Sequence, residues 1–88
     1  MPTQTKKWYV YVLRCGDGSL YTGVTTDVTS RVRVHNAGKG AKYTRSHLPV
    51  ELAYSEAAED RSTALQREAE IKKLPRKEKR ELIFQSPF

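Results

Sequence analysis

The chain has few of the residues that build crosslinks or metal cages. One cysteine, Cys15, in 88 residues excludes an internal disulfide framework. With no CxxC pair and only two histidines, a structural zinc site has no ligand set. No apolar run approaches the roughly 18 residues of a membrane-spanning helix. Met1 to Lys7 has no apolar core and does not read as a signal peptide. No nucleophile motif surrounds Ser19, Ser30 or Cys15, and Cys15 reads as a buried or hairpin-end thiol. Gly16, Gly18 and Gly23 are too sparse for a phosphate-cradling loop and lie in a hairpin. The expected setting is the reducing cytoplasm, with no membrane contact.

What is present is a basic, moderately apolar chain. The hydrophobic fraction is 38% and the charged fraction 30%, too rich in Val, Leu, Ile and aromatics for disorder. At this length about 60% of the chain's surface can be buried, so the core is thin. The expected organisation is a flexible N-terminus over 1–7, one domain over 8–84 and a tail over 85–88. Sixteen Lys and Arg against ten Asp and Glu give +6. From 31 to 45 there are five bases, Arg31, Arg33, Lys39, Lys42 and Arg45, and no acid. From 51 to 60 there are four acids and no base; from 61 onward, eight bases and four acids. A basic stretch of this kind is a plausible phosphate-backbone footprint and equally a solvated surface.

Trp8 to Arg14 (WYVYVLR) is aromatic and β-branched, which argues for a strand. Period two puts Tyr9, Tyr11 and Leu13 on one face, and Trp8, Val10 and Val12 on the other. Asp17-Gly18 makes a tight turn, and Leu20 to Val24 returns. Asp27 caps a helix to about Ala37, which Gly38 stops. On that helix Arg31, His35, Val28 and Val32 share an arc of about 100°. The stretch 38–49 reads as a loop, Val50 to Ser55 as a third strand with inconsistent alternation, and Glu56 to Asp60 as an acidic connection. Asp60 or Ser62 caps a second helix to Leu74, with Ala64, Leu65, Glu68, Ile71 and Lys72 on one face. Pro75 ends that helix or opens the next, 76–84. The expected fold is α+β, a three-stranded antiparallel sheet flanked by helices.

This layout brings five polar groups within reach of one another: Tyr11, Tyr21, Arg31, His35 and Glu68. A carboxylate can hold a divalent metal, an arginine can steady a phosphate, and a phenol or imidazole can relay a proton. Each also has an ordinary role: packing for the tyrosines, a surface cation for Arg31, a helix-end imidazole for His35, an i,i+4 pair with Lys72 for Glu68.

Tyr9-Val10-Tyr11, then Tyr21-Thr22-Gly23, then Arg31 and His35, then Arg67-Glu68, resembles the GIY-YIG nuclease superfamily. The likeness runs over about residues 8–83 and points to the small single-domain bacterial members of uncharacterised role. It implies that Tyr11 and Tyr21 are the tyrosines of the two triplets and that Gly23 closes the second, allowing close approach. It implies that Arg31 sits near the scissile phosphate, that His35 is the polar residue one turn later, and that Glu68 binds the metal. Tyr43 is matched to a further polar active-site residue. Tyr9 replaces the glycine of the first triplet and Thr22 the isoleucine of the second. The asparagine of larger members has no counterpart, Asn36 being the only asparagine, and no accessory DNA-binding domain is apparent.

The resemblance therefore implies a DNA endonuclease using one Mg²⁺ or Mn²⁺ on Glu68, with Tyr11 as general base. A phenol's pKa of about 10 requires depression by cations or a relay through neighbours. Arg33, Lys39, Lys42, Arg45, Arg76 and Lys77 would hold the DNA backbone. Specificity would be low or supplied by a partner protein. Two other readings stand beside this one: a nucleic-acid-binding module with an idle site, and an interaction domain without nucleic acid.

Overall fold

The computed structural model describes residues 7–85. The N-terminus expected to be flexible over 1–7 lies, but for Lys7, outside the described residues, as does the 85–88 tail but for Gln85. Strand β1 (Trp8–Arg14) turns into β2 (Leu20–Thr25). The turn is built by Asp17, whose Oδ1 accepts from the Ser19 amide at 3.0 Å and the Ser19 hydroxyl at 2.6 Å. Gly18 supplies the positive φ, 86°, that this Asx turn needs.

Helix α1 (Val28–Asn36) begins where the Asp27 side chain accepts from the Ser30 amide. A short helix α2 (Lys42–Arg45) follows, then β3 (Glu51–Ala58), α3 (Arg61–Lys73) and α4 (Arg76–Gln85). Asp60, rather than Ser62, caps α3, accepting from the Thr63 amide at 2.8 Å. The sheet order is β2-β1-β3, all antiparallel, with β1 in the centre.

Both faces of β1 are covered, which explains why Val10 to Leu13 are all buried. Val10 and Val12 pack with Tyr54, Ala64 and Ile71, bordered by Leu82 and Ile83, on the α3–α4 side. Tyr11 and Leu13 pack with Cys15 and Val50, bordered by Val28 and Val32, on the α1 side. Each fully buried aliphatic chain contributes about 1.5–3 kcal/mol of transfer free energy. The period-two division of β1 is thus a division between two helical layers.

Two expectations need correction. The stretch 38–49 holds one helical turn, α2, where a loop was expected. Its Thr44 is fully buried, so tertiary contact fixes a segment with weak local preference. The third strand runs to Ala58 and absorbs most of the expected acidic connection. Glu56 is tolerated in a strand because the Tyr54 hydroxyl and Arg67 Nε, at 2.9 Å, both donate to it. The inconsistent alternation of this strand has a cause too. Val12 opposes Tyr54 while Leu13 opposes Leu52, a bulge that leaves Ala53 as the extra residue. Adjacent Ala53 and Tyr54 can then both be buried.

Candidate active site

Tyr11 stands opposite Gly23 in the β1–β2 register. Its ring crosses toward β2, and a Cβ placed on Gly23 would lie 2.6 Å from the Tyr11 hydroxyl. The close approach that the resemblance implied at Gly23 is therefore made by Tyr11 itself. Buried to 1% exposure, Tyr11 has little rotational freedom left.

The hydroxyl of Tyr11 lies 2.9 Å from Nε2 of His35, and Nδ1 of His35 lies 2.7 Å from Oγ1 of Thr44. Thr44 donates its own proton to the Ala41 carbonyl at 2.9 Å. That last bond fixes the direction of the rest. With its proton committed to a carbonyl, Thr44 Oγ1 accepts from His35 Nδ1–H. His35 Nε2 is then a bare acceptor, and Tyr11 donates to it. Burial, helped by the Arg31 charge, lowers the His35 pKa and keeps the imidazole neutral. Gly40 makes room for it, since a Cβ there would overlap the His35 ring. His35 itself is fully buried on α1, so its partners inside the protein decide its tautomer.

Burial raises the Tyr11 pKa, the Arg31 guanidinium beside it pulls it down, and Tyr21 and Glu68 push it up again. The net shift is upward, so Tyr11 is a neutral phenol at pH 7, not a phenolate. Of the two routes the sequence left open, depression by cations or relay through neighbours, the geometry supplies the relay.

Around this chain lies an aromatic array. Tyr21 approaches Tyr11 with ring centroids 6.5 Å apart, and His35 edge-on at 5.4 Å. Tyr43, exposed on α2, stacks on Tyr21 at 6.3 Å and on His47 at 4.1 Å. His47 also contacts the β1–β2 turn, its Nε2 3.6 Å from Asp17. Lys39, Lys42 and Arg45 are exposed around the same segment, as is Arg33 on α1.

Glu68 sits between Ala64 and Ile71 on the packed side of α3, its side chain 19% exposed. Helix α3 packs on the edge strand β2 as well as on β1. The Glu68 carboxylate pairs with Lys72 at 3.3 Å, yet its charge reaches the Tyr11 hydroxyl. Leu65 and Lys72, expected on the same face, are exposed at its margin. The rotation of α3 is held by Arg67, which bonds Glu56 on β3 and, through Nη1, Glu70 at 3.1 Å.

A family model described as the GIY-YIG catalytic domain matches residues 7–81. The chain belongs to the GIY-YIG family. A UPF0213 protein of Haloquadratum walsbyi is 58% identical over 74 residues, which span 84% of this chain and 83% of that protein. A UPF0213 protein of Staphylococcus haemolyticus is 52% identical over 77 residues, 88% of this chain and 94% of the relative. Two solution structures share the fold. A UPF0213 protein from Bacillus halodurans matches with a TM-score of 0.59 at 45% identity, covering 91% of this chain and 85% of that one. A protein from E. faecalis matches with a TM-score of 0.62 at 46% identity, covering 92% and 86%. The expected α+β fold of a small GIY-YIG protein is therefore the fold of this chain.

GIY-YIG domains are generally those of endonucleases and typically work with divalent metal ions. Among the described residues no three His, Cys, Asp or Glu side chains form a cluster. The one carboxylate that the resemblance assigns to a metal is Glu68, which is paired with Lys72. A single carboxylate suits Mg²⁺ or Mn²⁺ taken up mainly by water and substrate phosphate, and does not suit a dedicated protein cage. Of the residues singled out in the sequence, Tyr11, Tyr21, His35 and Tyr43 form one contiguous group, with Arg31 acting on Tyr11 and His35. Glu68 joins through its charge rather than by contact.

Arg76 lies apart on α4, where it donates to the Gly18 carbonyl at 2.8 Å, and Lys77 beside it is exposed. Asn36 has a structural role, its amide donating to and accepting from the Val50 backbone at 2.9 and 2.8 Å. Cys15 is buried, and burial raises its pKa, as expected of an inert thiol. Arg67 stood in the Arg67-Glu68 step of the motif without a role, and Thr44, Gly40 and His47 were not legible as site residues. Nothing in their spacing distinguishes them until α1, α2 and β3 are placed together.

Proposed function

We propose that the chain is an endonuclease that hydrolyses DNA phosphodiesters with one divalent ion, Mg²⁺ or Mn²⁺. The observation that carries this reading is the directed chain from Tyr11 through His35 and Thr44 to the Ala41 carbonyl. A tyrosine kept only for packing has no need of a buried neutral imidazole aligned to take its proton.

In this reading a water sits at the Tyr11 hydroxyl, over Gly23. As its oxygen attacks phosphorus, the water gives a proton to Tyr11 Oη, and Tyr11 passes its own to His35 Nε2. The bond to water forms on phosphorus, and the opposite P–O bond breaks with its electron pair on the sugar oxygen, which takes a proton from solvent water. The imidazole becomes imidazolium and returns its proton through Tyr11 to solvent when the product leaves. The phenol thus works as a general base without ever being a free phenolate. In this reading Arg31, whose charge already acts on Tyr11 and His35, would stabilise the charge that builds on the phosphate. Glu68 would hold the divalent ion, which when bound supplies Lewis-acid stabilisation of the phosphate charge. Lys39, Lys42, Arg45 and Arg33 would hold the backbone on either side, with Tyr43 and Tyr21 forming the wall between them.

The test is incubation of plasmid, single-stranded and branched DNA with Mg²⁺ or Mn²⁺, beside Glu68→Ala. Metal-dependent cleavage that Glu68→Ala abolishes while DNA binding persists supports the reading. Equal inactivity of both proteins on every DNA, with binding intact, replaces it with the idle binding module, a reading favoured by the Glu68–Lys72 pair. Cleavage unchanged in Glu68→Ala indicates a contaminating nuclease.

A further inference from the structure

The strongest feature outside this site is a hollow of about 600 Å³ between the β1–β2 turn and α4. Arg76, Arg80 and Phe84 all line it, and they stand at i, i+4 and i+8, one stripe of one helix. Arg14 lines the opposite wall, and Leu20 and Ile83 its apolar floor. Phe84 is 88% exposed, the most exposed of the large hydrophobic side chains among the described residues.

Charge complementarity says what this hollow takes. Of its three arginines, Arg14 is paired with Glu51 at 3.4 Å, which leaves Arg76 and Arg80 facing one acid, Asp17, whose Oδ1 already accepts twice from Ser19 and whose Oδ2 faces His47. Arg76 spends one nitrogen on the Gly18 carbonyl and keeps its other donors. Arg80 makes no ion pair among the described residues. Arginines spaced along a helix beside a bare aromatic ring suit a ligand that alternates anionic groups with flat apolar ones. An acidic peptide would use the charges and leave the ring idle; an apolar peptide would leave the guanidinium groups unpaired.

We propose that this hollow is a second nucleic-acid subsite, which stacks an unpaired base on Phe84 and holds the adjoining phosphates of a single-stranded segment on Arg76 and Arg80. The inference rests on the reading of the chain as a protein that acts on nucleic acid. Continuity with the candidate active site supports it. The turn that forms one wall of the hollow leads directly into β2, which carries Tyr21 and Gly23. Gly18 and Gly23 are five residues apart, roughly 16 Å at about 3.3 Å per residue, or about five base steps at 3.4 Å. The hollow lies on the α3–α4 side of the sheet and Tyr11 on the α1 side, so one bound molecule would reach both by passing round the edge strand β2, its scissile phosphate near Tyr11 and an unpaired stretch at Phe84. The substrate class is therefore DNA with a single-stranded segment beside the cut.

The test is fluorescence anisotropy with a labelled single strand of about twelve nucleotides and the blunt duplex of the same sequence, both in chelator so that no strand is cut. Phe84→Ala should weaken single-strand binding about 5- to 150-fold, the usual worth of one base–aromatic stack. It should leave the duplex unchanged, and Phe84→Trp should retain the wild-type affinity. Arg80→Gln should flatten the log–log salt dependence of single-strand binding by about 0.7. Because Phe84 is exposed, its replacement leaves the core intact, and a circular-dichroism melt checks this.

The subsite is overturned if Phe84→Ala leaves single-strand binding unchanged, or weakens strand and duplex alike. It is overturned too if the substitution changes only self-association in sedimentation, which would make this face a contact with a second copy. Metal-dependent cleavage by the wild type with no role for Phe84 sinks the subsite and spares the nuclease reading. Phe84-dependent strand binding without any cleavage does the reverse.

Discussion

Thr44 decides what His35 can do. Its hydroxyl accepts from Nδ1 and donates to a carbonyl, so the imidazole has one free acceptor, aimed at Tyr11. Thr44→Val keeps the shape and removes both bonds. It leaves a buried N–H without a partner, at about 1–3 kcal/mol, unless the imidazole shifts its proton to Nε2 and ceases to accept from Tyr11. Thermal melts should therefore show a loss in that range or smaller, cleavage should fall steeply in either case, and Thr44→Ser should restore both. Tyr11→Phe keeps the ring over Gly23 and removes the relay, so the rate should drop about 10²–10⁴-fold with folding retained.

The pH dependence of stability follows from the same pair. His35 is held neutral with a lowered pKa, so below about 6.5 the unfolded chain binds a proton that the folded one refuses. Stability falls as pH drops through that point. Tyr11 is held protonated with a raised pKa, so above about 10 the unfolded chain loses a proton that the folded one keeps, and stability falls again as pH rises. Denaturant titrations should give a plateau between those limits. Tyr11→Phe should soften the alkaline fall and leave the acid one. A stability that keeps rising below pH 6 would contradict the neutral imidazole.

At the scale of elements, what was legible is what local chemistry decides. The β1–β2 hairpin, the caps at Asp27 and Asp60, the stop at Gly38 and the break at Pro75 each depend on one or two neighbouring residues, and each lies where the sequence puts it. The missed features depend on distant partners. Helix α2 exists around a threonine buried against His35, and the last residues of β3 stay in the strand because a tyrosine hydroxyl and an arginine both donate to Glu56. In the site, the resemblance singled out Tyr11, Tyr21, Arg31, His35 and Glu68, and the structure gathers Tyr11, Tyr21 and His35, with Arg31 acting on Tyr11 and His35. The direction of the hydrogen bonds among them was not legible, because it is set by a carbonyl at Ala41.

Arg67 belongs to this scale as well. It ties α3 to β3 through Glu56, and Glu68 is the next residue along the helix, so the rotation at which Glu68 stands follows from that tie. Arg67→Met should cost about 1–2 kcal/mol in urea denaturation, the low part of the range for charged hydrogen bonds because solvent screens the pair. It should also raise the metal concentration needed for half-maximal cleavage. Loss of stability with an unchanged metal requirement would show that Arg67 braces the fold and does not aim Glu68.

For the whole molecule the asymmetry of charge is what matters. The net charge of +6 is not spread evenly: Arg33, Lys39, Lys42 and Arg45 are exposed, and no acid interrupts the stretch they occupy. If those four side chains neutralise duplex phosphates, counterion release at about −0.9 per contact gives a log–log slope of affinity against salt near −3.6. Lys42 and Arg45 flank Tyr43 on α2 and take no part in the proton chain, so replacing both with alanine should halve that slope. The cleavage rate at saturating DNA should stay unchanged, because what is lost is attraction in the ground state and the transition state alike. Filter binding across a salt series, with chelator present, measures the slope directly. A slope near zero for the wild type, or a double variant whose slope is unaltered, would move the phosphate footprint off α2 and leave the basic stretch as a solvated face.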